Sequence, residues 1–92
     1  MSDFRVFETV QFLDDLEKIS AARREKISSK LRGLVYPQLR QQPYSGANIK
    51  KLKGFKPETW RYMIGSYRFF YIVNDKEKIV FMVAADTRQQ SY

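Results

Sequence analysis

The residues of this 92-residue chain that could do chemistry are basic and phenolic. The chain contains no histidine and no cysteine, which excludes Ser-His and Cys-His catalytic pairs, disulfides and the usual zinc sites. Arg61, Arg68 and Arg88 recur through its C-terminal half, and Tyr92 closes the sequence. Guanidinium groups stay charged and bind two phosphate oxygens at once. These side chains therefore predict phosphate chemistry that uses no metal and no other cofactor.

RNA suits such a site because its 2′-hydroxyl is a built-in nucleophile. In-line attack on the neighbouring phosphate needs a proton acceptor, stabilisation of the charge on the phosphate oxygens, and a proton donor for the leaving 5′-oxygen. A lysine among other cations could accept the first proton, and a tyrosine could transfer one. The side chains present in this sequence could fill all three roles.

The net charge of +7 is concentrated in one part of the chain. Residues 1–19 carry a charge of −3, residues 20–61 carry +9, and the remainder carries +1. A basic block of this kind favours binding to nucleic acid or to an acidic partner protein. No apolar run approaches the roughly 20 residues of a membrane-spanning helix. Together with the absence of cysteine, this leads us to expect a cytoplasmic protein.

Hydrophobic periodicity predicts the N-terminal elements that support these side chains. Residues 4–9 are typical of a short strand, and Thr9 of a helix N-cap. Apolar residues at helical spacing over 12–19 and 27–35 predict two helices with buried stripes. Pro37 is expected to end or kink the second helix.

The C-terminal half predicts a sheet. Residues 40–57 are polar and rich in proline and glycine, which indicates an irregular connection. Strands are expected at 60–64, 67–74 and 79–85, joined by turns. The order β-α-α-β-β-β predicts an α+β fold, in which an N-terminal strand and a helical hairpin pack on a mainly antiparallel four-stranded sheet. We expect one domain over residues 1–92.

Three segments resemble motifs of the RelE/ParE superfamily, the toxins of type II toxin–antitoxin systems. KLKGF at 51–55 is similar to the family's K-L-[KR]-G loop. WRYMIGSYRFFY at 60–71 resembles its arginine-bearing hairpin, and ADTRQQSY at 85–92 resembles its closing [GS]-H-R-x-x-x-Y segment. The resemblance covers nearly the whole chain, favours the RelE-like branch and implies the same α+β fold.

The resemblance also implies roles for individual residues. It places Lys53, Arg61, Arg68, Arg88 and Tyr92 in a catalytic set, with Arg68 acting on the scissile phosphate. The other lysines of the loop are expected to contact the RNA backbone and to give affinity with little sequence choice: Lys50, Lys51 and Lys56.

Two positions depart from the family pattern. Met63 stands where many relatives carry a second Arg or Lys, which removes one cation from the sheet. Thr87 stands where many carry histidine, which makes the expected mechanism more dependent on Arg88 and Tyr92.

The arginines of the hairpin also have a structural interpretation. Arg61 and Arg68 could be exposed cross-strand residues, or could pair with Asp75 or Asp86. The sequence leaves both interpretations open.

The function that the resemblance implies is that of a toxin in a stress or plasmid-maintenance module, acting as an mRNA endoribonuclease in the ribosomal A site. There the ribosome would position the substrate and inhibition of translation would follow. An antitoxin is implied as partner, with an acidic or partly disordered segment that covers the basic surface in a hetero-oligomer. Because one scaffold carries several activities, a ParE-like DNA gyrase inhibitor and a non-catalytic RNA-binding module remain alternatives.

Overall fold

A computed structural model describes residues 3–86, which form three α-helices, one π-helical turn and five strands. In chain order these are β1 (Arg5–Glu8), α1 (Val10–Glu17), α2 (Ala21–Lys30), the π turn (Leu31–Val35), α3 (Tyr36–Gln41), β2 (Ile49–Leu52), β3 (Thr59–Ile64), β4 (Tyr67–Asn74) and β5 (Ile79–Asp86). Within this part of the chain, no helix is long and apolar enough to cross a membrane.

The strands form one mixed sheet in the order β1-β5-β4-β3-β2. β1 runs parallel to β5, and every other neighbouring pair is antiparallel. The α+β class and the three C-terminal strands expected from the sequence are confirmed. The described sheet, however, has five strands instead of four.

The additional strand is β2, which lies in the segment that we expected to be irregular. Its sequence, IKKL, lacks the apolar alternation that marks a strand, because two lysines occupy its centre. It becomes a strand through antiparallel pairing with β3, in which Lys50 lies opposite Arg61. As an edge strand it tolerates the two charged residues.

The helices cover one face of the sheet. Along β3, β4 and β5, alternate side chains point into a core shared with the helices, and the intervening side chains point to the opposite face, which we call the open face. Arg61 and Arg68 belong to the open face because the residue that follows each of them, Tyr62 or Phe69, is buried in the core. The fully or nearly buried residues of this core include Phe12, Ile27, Leu31, Val35, Leu39, Tyr62, Phe69, Tyr71, Val80 and Met82.

Two leucines of the expected helical stripes lie outside the core. Leu13 is 43% exposed and Leu34 is 50% exposed. Each is adjacent in sequence to a fully buried residue, Phe12 or Val35. Neighbouring positions differ by about 100° around a helix axis, so both leucines turn toward solvent.

Thr9 joins the start of α1 to the sheet. Its side-chain oxygen accepts a hydrogen bond from the Phe12 N–H at 3.3 Å, which confirms the expected N-cap. Its hydroxyl also donates to the Met82 carbonyl of β5 at 2.7 Å. One side chain therefore fixes both the helix end and its position on β5.

The second helical segment continues past Pro37 instead of ending there. Between α2 and α3, the Tyr36 N–H donates to the Leu31 carbonyl, five residues back. In a regular α-helix the ring of Pro37 would clash with the carbonyl of Gly33. The wider π turn just before the proline changes the backbone geometry at this point, and the helix continues through Pro37.

Candidate nucleic-acid interface on the open sheet face

Strand register brings three cations together on the open face. Lys50 of β2 lies opposite Arg61 of β3, and Met63 of β3 lies opposite Arg68 of β4. Arg61 and Arg68 are therefore diagonal neighbours on adjacent strands, about 7–8 Å apart at their Cα atoms. We call Lys50, Arg61 and Arg68 the cationic cluster.

Arg68 forms an ion pair across the sheet with Asp86 of β5. Its Nη1 lies 3.6 Å from the Asp86 Oδ2, with side chains that are 39% and 22% exposed. Of the two acidic partners considered from the sequence, the structure thus pairs Arg68 with Asp86. Asp75 instead contacts the Lys78 ammonium at 3.5 Å and accepts a hydrogen bond from the Tyr44 hydroxyl at 3.0 Å.

Arg61 carries a donor that protein groups do not satisfy. Its Nε is buried and has no hydrogen-bond partner within residues 3–86. A buried donor of this kind costs free energy unless an acceptor reaches it. The guanidinium borders a depression of about 450 Å³, lined by Ala47, Asn48, Ile49, Lys50, Arg61, Met63 and Gly65. An anion that entered this depression would meet the guanidinium and the Lys50 ammonium together.

Lys53 lies apart from the cationic cluster. It follows Leu52, which pairs with Thr59, whereas Arg68 pairs with Met63, four residues farther along β3. At about 3.3 Å per residue, Leu52 is offset from Arg68 by roughly 13 Å along the strands, and Lys53 follows Leu52 on the side away from Arg68. The structure therefore does not bring Lys53 next to Arg68.

The lysines of the loop also divide between two surfaces. Lys51 follows Lys50 in β2 and so points to the other side of the sheet, where its Nζ pairs with the Glu58 Oε2 at 2.9 Å. Lys51 also lines a depression of about 600 Å³ together with Lys53 and Lys56, apart from the depression beside Arg61. Of the three lysines expected to contact RNA, only Lys50 lies in the cluster.

Phe55 is a candidate that the sequence analysis missed. It lines the same depression as Lys53 and Lys56, and its side chain is 54% exposed. An exposed ring among ammonium groups can stack on a nucleobase while the lysines contact phosphate. The available signal was an aromatic residue between lysines in a polar loop, KGFKP at residues 53–57.

Three tyrosines of the described region are structural. Burial raises the pKa of Tyr36, and so does the 2.6 Å hydrogen bond that the Tyr36 hydroxyl donates to Glu8. Burial raises the pKa of Tyr71, whose hydroxyl donates to the Pro43 carbonyl at 2.7 Å. Burial, followed by the hydrogen bond to Asp75, raises the pKa of Tyr44. All three stay protonated at neutral pH and are poor proton acceptors.

The remaining expected site residues lie beyond the described range. Arg88 and Tyr92 fall outside residues 3–86, as does Thr87. Within that range, no group of three or more acidic side chains could hold a metal ion.

The sheet, its helical cover and the arginine-bearing hairpin together form the architecture that the RelE/ParE resemblance implies. A model of the family described as the ParE toxin of the type II toxin–antitoxin system parDE matches residues 6–92. The chain belongs to this family. The comparison with curated proteins gives no match.

Solved structures confirm the RelE-like fold. The toxin–antitoxin complex RelBE2 of Mycobacterium tuberculosis contains a chain that is 21% identical, with a TM-score of 0.73 over 96% of this chain and 94% of that one. A chain of the archaeal RelE–RelB complex from Pyrococcus horikoshii OT3 is 23% identical, with a TM-score of 0.68 over 97% and 99%. A double mutant of the E. coli toxin RelE in the free state is 26% identical, with a TM-score of 0.62 over 92% and 82%.

Proposed function

We propose that this toxin is a ribosome-dependent mRNA endoribonuclease in which the RNA 2′-hydroxyl is the nucleophile. The observation that carries the proposal is the cationic cluster of Lys50, Arg61 and Arg68 on one face of the sheet. Two arginines at diagonal positions can each reach a phosphate of a single strand lying across the face. The fold itself is shared with toxins of other activities, so the cluster supports the ribonuclease more than the fold does.

Each cation of the cluster has a distinct proposed role. Arg68 would stabilise the negative charge that develops on the scissile phosphate, because a guanidinium remains charged and donates along two directions. Arg61 and Lys50 would hold a flanking phosphate in the adjoining depression, where the Arg61 Nε has an unsatisfied donor.

Proton transfer needs residues other than the three of the cationic cluster. Lys53, Arg88 and Tyr92 keep the roles that the family resemblance gives them, as proposals. Because Lys53 lies beyond Leu52, which is itself offset from Arg68 by roughly 13 Å along the strands, it would contact RNA away from the scissile phosphate. Positioning by the ribosome would supply the alignment that this open face lacks.

The proposed partner is an antitoxin in the cytoplasm. Solved relatives include toxin–antitoxin complexes such as RelBE2 of Mycobacterium tuberculosis and the E. coli RelBE complex. An acidic segment that folds across the basic surface would neutralise the cationic cluster by charge complementarity.

Inhibition of DNA gyrase is the second candidate function. The specific observation in its favour is the match to the ParE toxin family. The ion pair between Arg68 and Asp86 also reduces the positive charge available to RNA. A protein that only binds RNA would be the third outcome.

The deciding experiment combines primer extension on a translated message with an assay of gyrase-dependent DNA breaks. New 5′ ends within codons, formed by purified toxin on programmed ribosomes, would support the ribonuclease. Gyrase-linked breaks without mRNA cleavage would support the second candidate. RNA binding with neither product would leave a binding module and would refute the proposal.

A further inference from the structure

The position of Asp86 opposite Arg68 depends on an irregularity in the sheet. Over residues 71–74, β4 pairs with β5 in one register. The register shifts by one residue between Phe70 and Tyr71, because Tyr71 pairs with Met82 whereas Phe70 pairs with Ala84. Without this shift Arg68 would lie opposite Ala85, and Asp86 would point to the helix side. The β-bulge therefore places the carboxylate on the open face, and bulges commonly redirect a side chain in this way next to a functional site.

The end of β5 is anchored beside this carboxylate. The Ala85 N–H donates to the Asp15 Oδ2 of α1 at 2.8 Å. This hydrogen bond holds the backbone next to Asp86 against the helix layer, although Asp86 lies beyond the last pairing of β1 with β5. The carboxylate thus projects from a fixed strand.

Asp86 is also the one acidic residue that the described strands place on the open face. On the other side of Arg68 lies Met63, whose thioether is only a weak acceptor. The diagonal neighbour Arg61 repels Arg68. Both effects favour a guanidinium that is directed toward β5, where its Nη1 meets the Asp86 carboxylate at 3.6 Å.

We propose that Asp86 is a positioning residue that holds the Arg68 guanidinium for phosphate binding. The proposal rests on the ribonuclease function proposed above. A guanidinium has five N–H donors in a planar fork, so a contact through Nη1 is compatible with phosphate binding at its other donors. Asp86 lowers the local positive charge, so its removal should strengthen the binding of RNA or leave it unchanged. Because Asp86 also positions Arg68, its removal should slow cleavage.

The test compares Asp86→Asn with Asp86→Glu and with a control, Glu17→Gln. The control makes the same change in charge. It replaces an exposed carboxylate on the helix side that pairs with Arg24 at 3.3 Å. Single-turnover cleavage rates are measured on programmed ribosomes. Affinity is measured with an RNA that has a 2′-deoxy nucleotide at the cleavage point, and folding is followed by thermal melts.

Asp86→Asn is expected to bind this RNA at least as tightly as the wild type and to cleave about 10-fold more slowly, because a displaced catalytic group costs rate. Asp86→Glu should recover part of the rate, and Glu17→Gln should cleave at the wild-type rate. Faster cleavage by folded Asp86→Asn would overturn the proposal and would show that the carboxylate merely competes with phosphate. An unchanged rate would overturn it as well.

A double mutant shows whether Asp86 acts through Arg68. Adding Asp86→Asn to Arg68→Ala should slow cleavage by less than about 2-fold, because residues that act as one unit are not additive. A further 10-fold loss would assign Asp86 an independent role and would overturn the positioning role.

A measurement without activity separates this proposal from the ribonuclease itself. If the wild type cleaves no message, the proposed function fails, and NMR of the Arg68 Nε–H group still tests the positioning. Its order parameter should fall in Asp86→Asn and stay unchanged in Glu17→Gln. Equal order in all three proteins would refute the positioning role.

Discussion

Replacement of Arg68 by alanine removes the guanidinium on which the proposed mechanism depends most. Loss of one preorganised donor typically slows the chemical step by about 10²-fold or more. This corresponds to about 2.7 kcal/mol of transition-state stabilisation, at 1.36 kcal/mol for each factor of ten. Arg68→Lys should recover little of the loss, because a point charge cannot reproduce the planar fork.

The same substitution should have a small effect on folding. The ion pair with Asp86 is the contact at stake, and the Arg68 side chain is 39% exposed. Pairs this open to solvent contribute about 0.2–1 kcal/mol. For a domain of this size, 1 kcal/mol shifts the Tm by roughly 4–8 °C, so we expect the variant to melt no more than about 8 °C below the wild type.

Single-turnover cleavage on programmed ribosomes, run beside thermal melts, measures both quantities. Arg32→Ala is the matched control, since it removes one exposed arginine from the π turn on the helix side. The control should cleave at close to the wild-type rate. A folded Arg68→Ala protein that cleaves as fast as the wild type would refute the mechanism, and gyrase inhibition or RNA binding alone would then be the better explanation.

Three further predictions concern binding, folding and growth. Lys50→Ala and Arg61→Ala should each reduce the slope of log affinity for RNA against log salt by about 1, because each removes one phosphate contact; an unchanged slope in fluorescence anisotropy titrations would place the residue off the RNA path. Thr9→Ala should lower the free energy of unfolding in urea by about 1 kcal/mol or more, through loss of the N-cap and of the bond to Met82, whereas Thr9→Ser should retain most of it; equal midpoints for the two variants would contradict this. Expression of the chain alone should arrest growth, with rescue by an acidic antitoxin, and unimpeded growth at high expression would argue against toxicity.

The elements that the sequence predicts well are those with local signals. Strand β4 was predicted with its observed bounds, because its run of aromatic and β-branched residues and the turns on either side are local signals. Strand β2 was missed since IKKL becomes a strand only by pairing with β3. At Pro37 the sequence predicted either an end or a kink of the helix and could not choose between them, because the π turn that precedes the proline has no pattern of its own.

In the candidate site, too, features set by local sequence can be predicted and features set by pairing between distant strands cannot. The two-residue turn at Gly65-Ser66 is enough to predict that Arg61 and Arg68 share a face, because the register of a tight hairpin follows from its turn. The pairing of Arg68 with Asp86 depends on a β-bulge for which the sequence of β5 has no recognisable signal. The sequence could therefore give this pairing only as one of two alternatives. The separation of Lys53 from Arg68 likewise depends on the pairing of β2.

The place of β5 in the sheet fixes the order in which the chain can assemble. β2, β3 and β4 are consecutive antiparallel neighbours and can pair as soon as they are made, whereas β1 has β5 as its only strand neighbour in the described sheet. The first strand to be synthesised must therefore wait for the last of the described strands, and such long-range closure is a slow step in folding. During translation the sheet stays open until β5 has left the ribosome. Because the positioning carboxylate that we propose lies at the end of β5, a nascent chain whose β5 is still inside the ribosome would lack it, and the proposed activity would begin only after β5 has emerged.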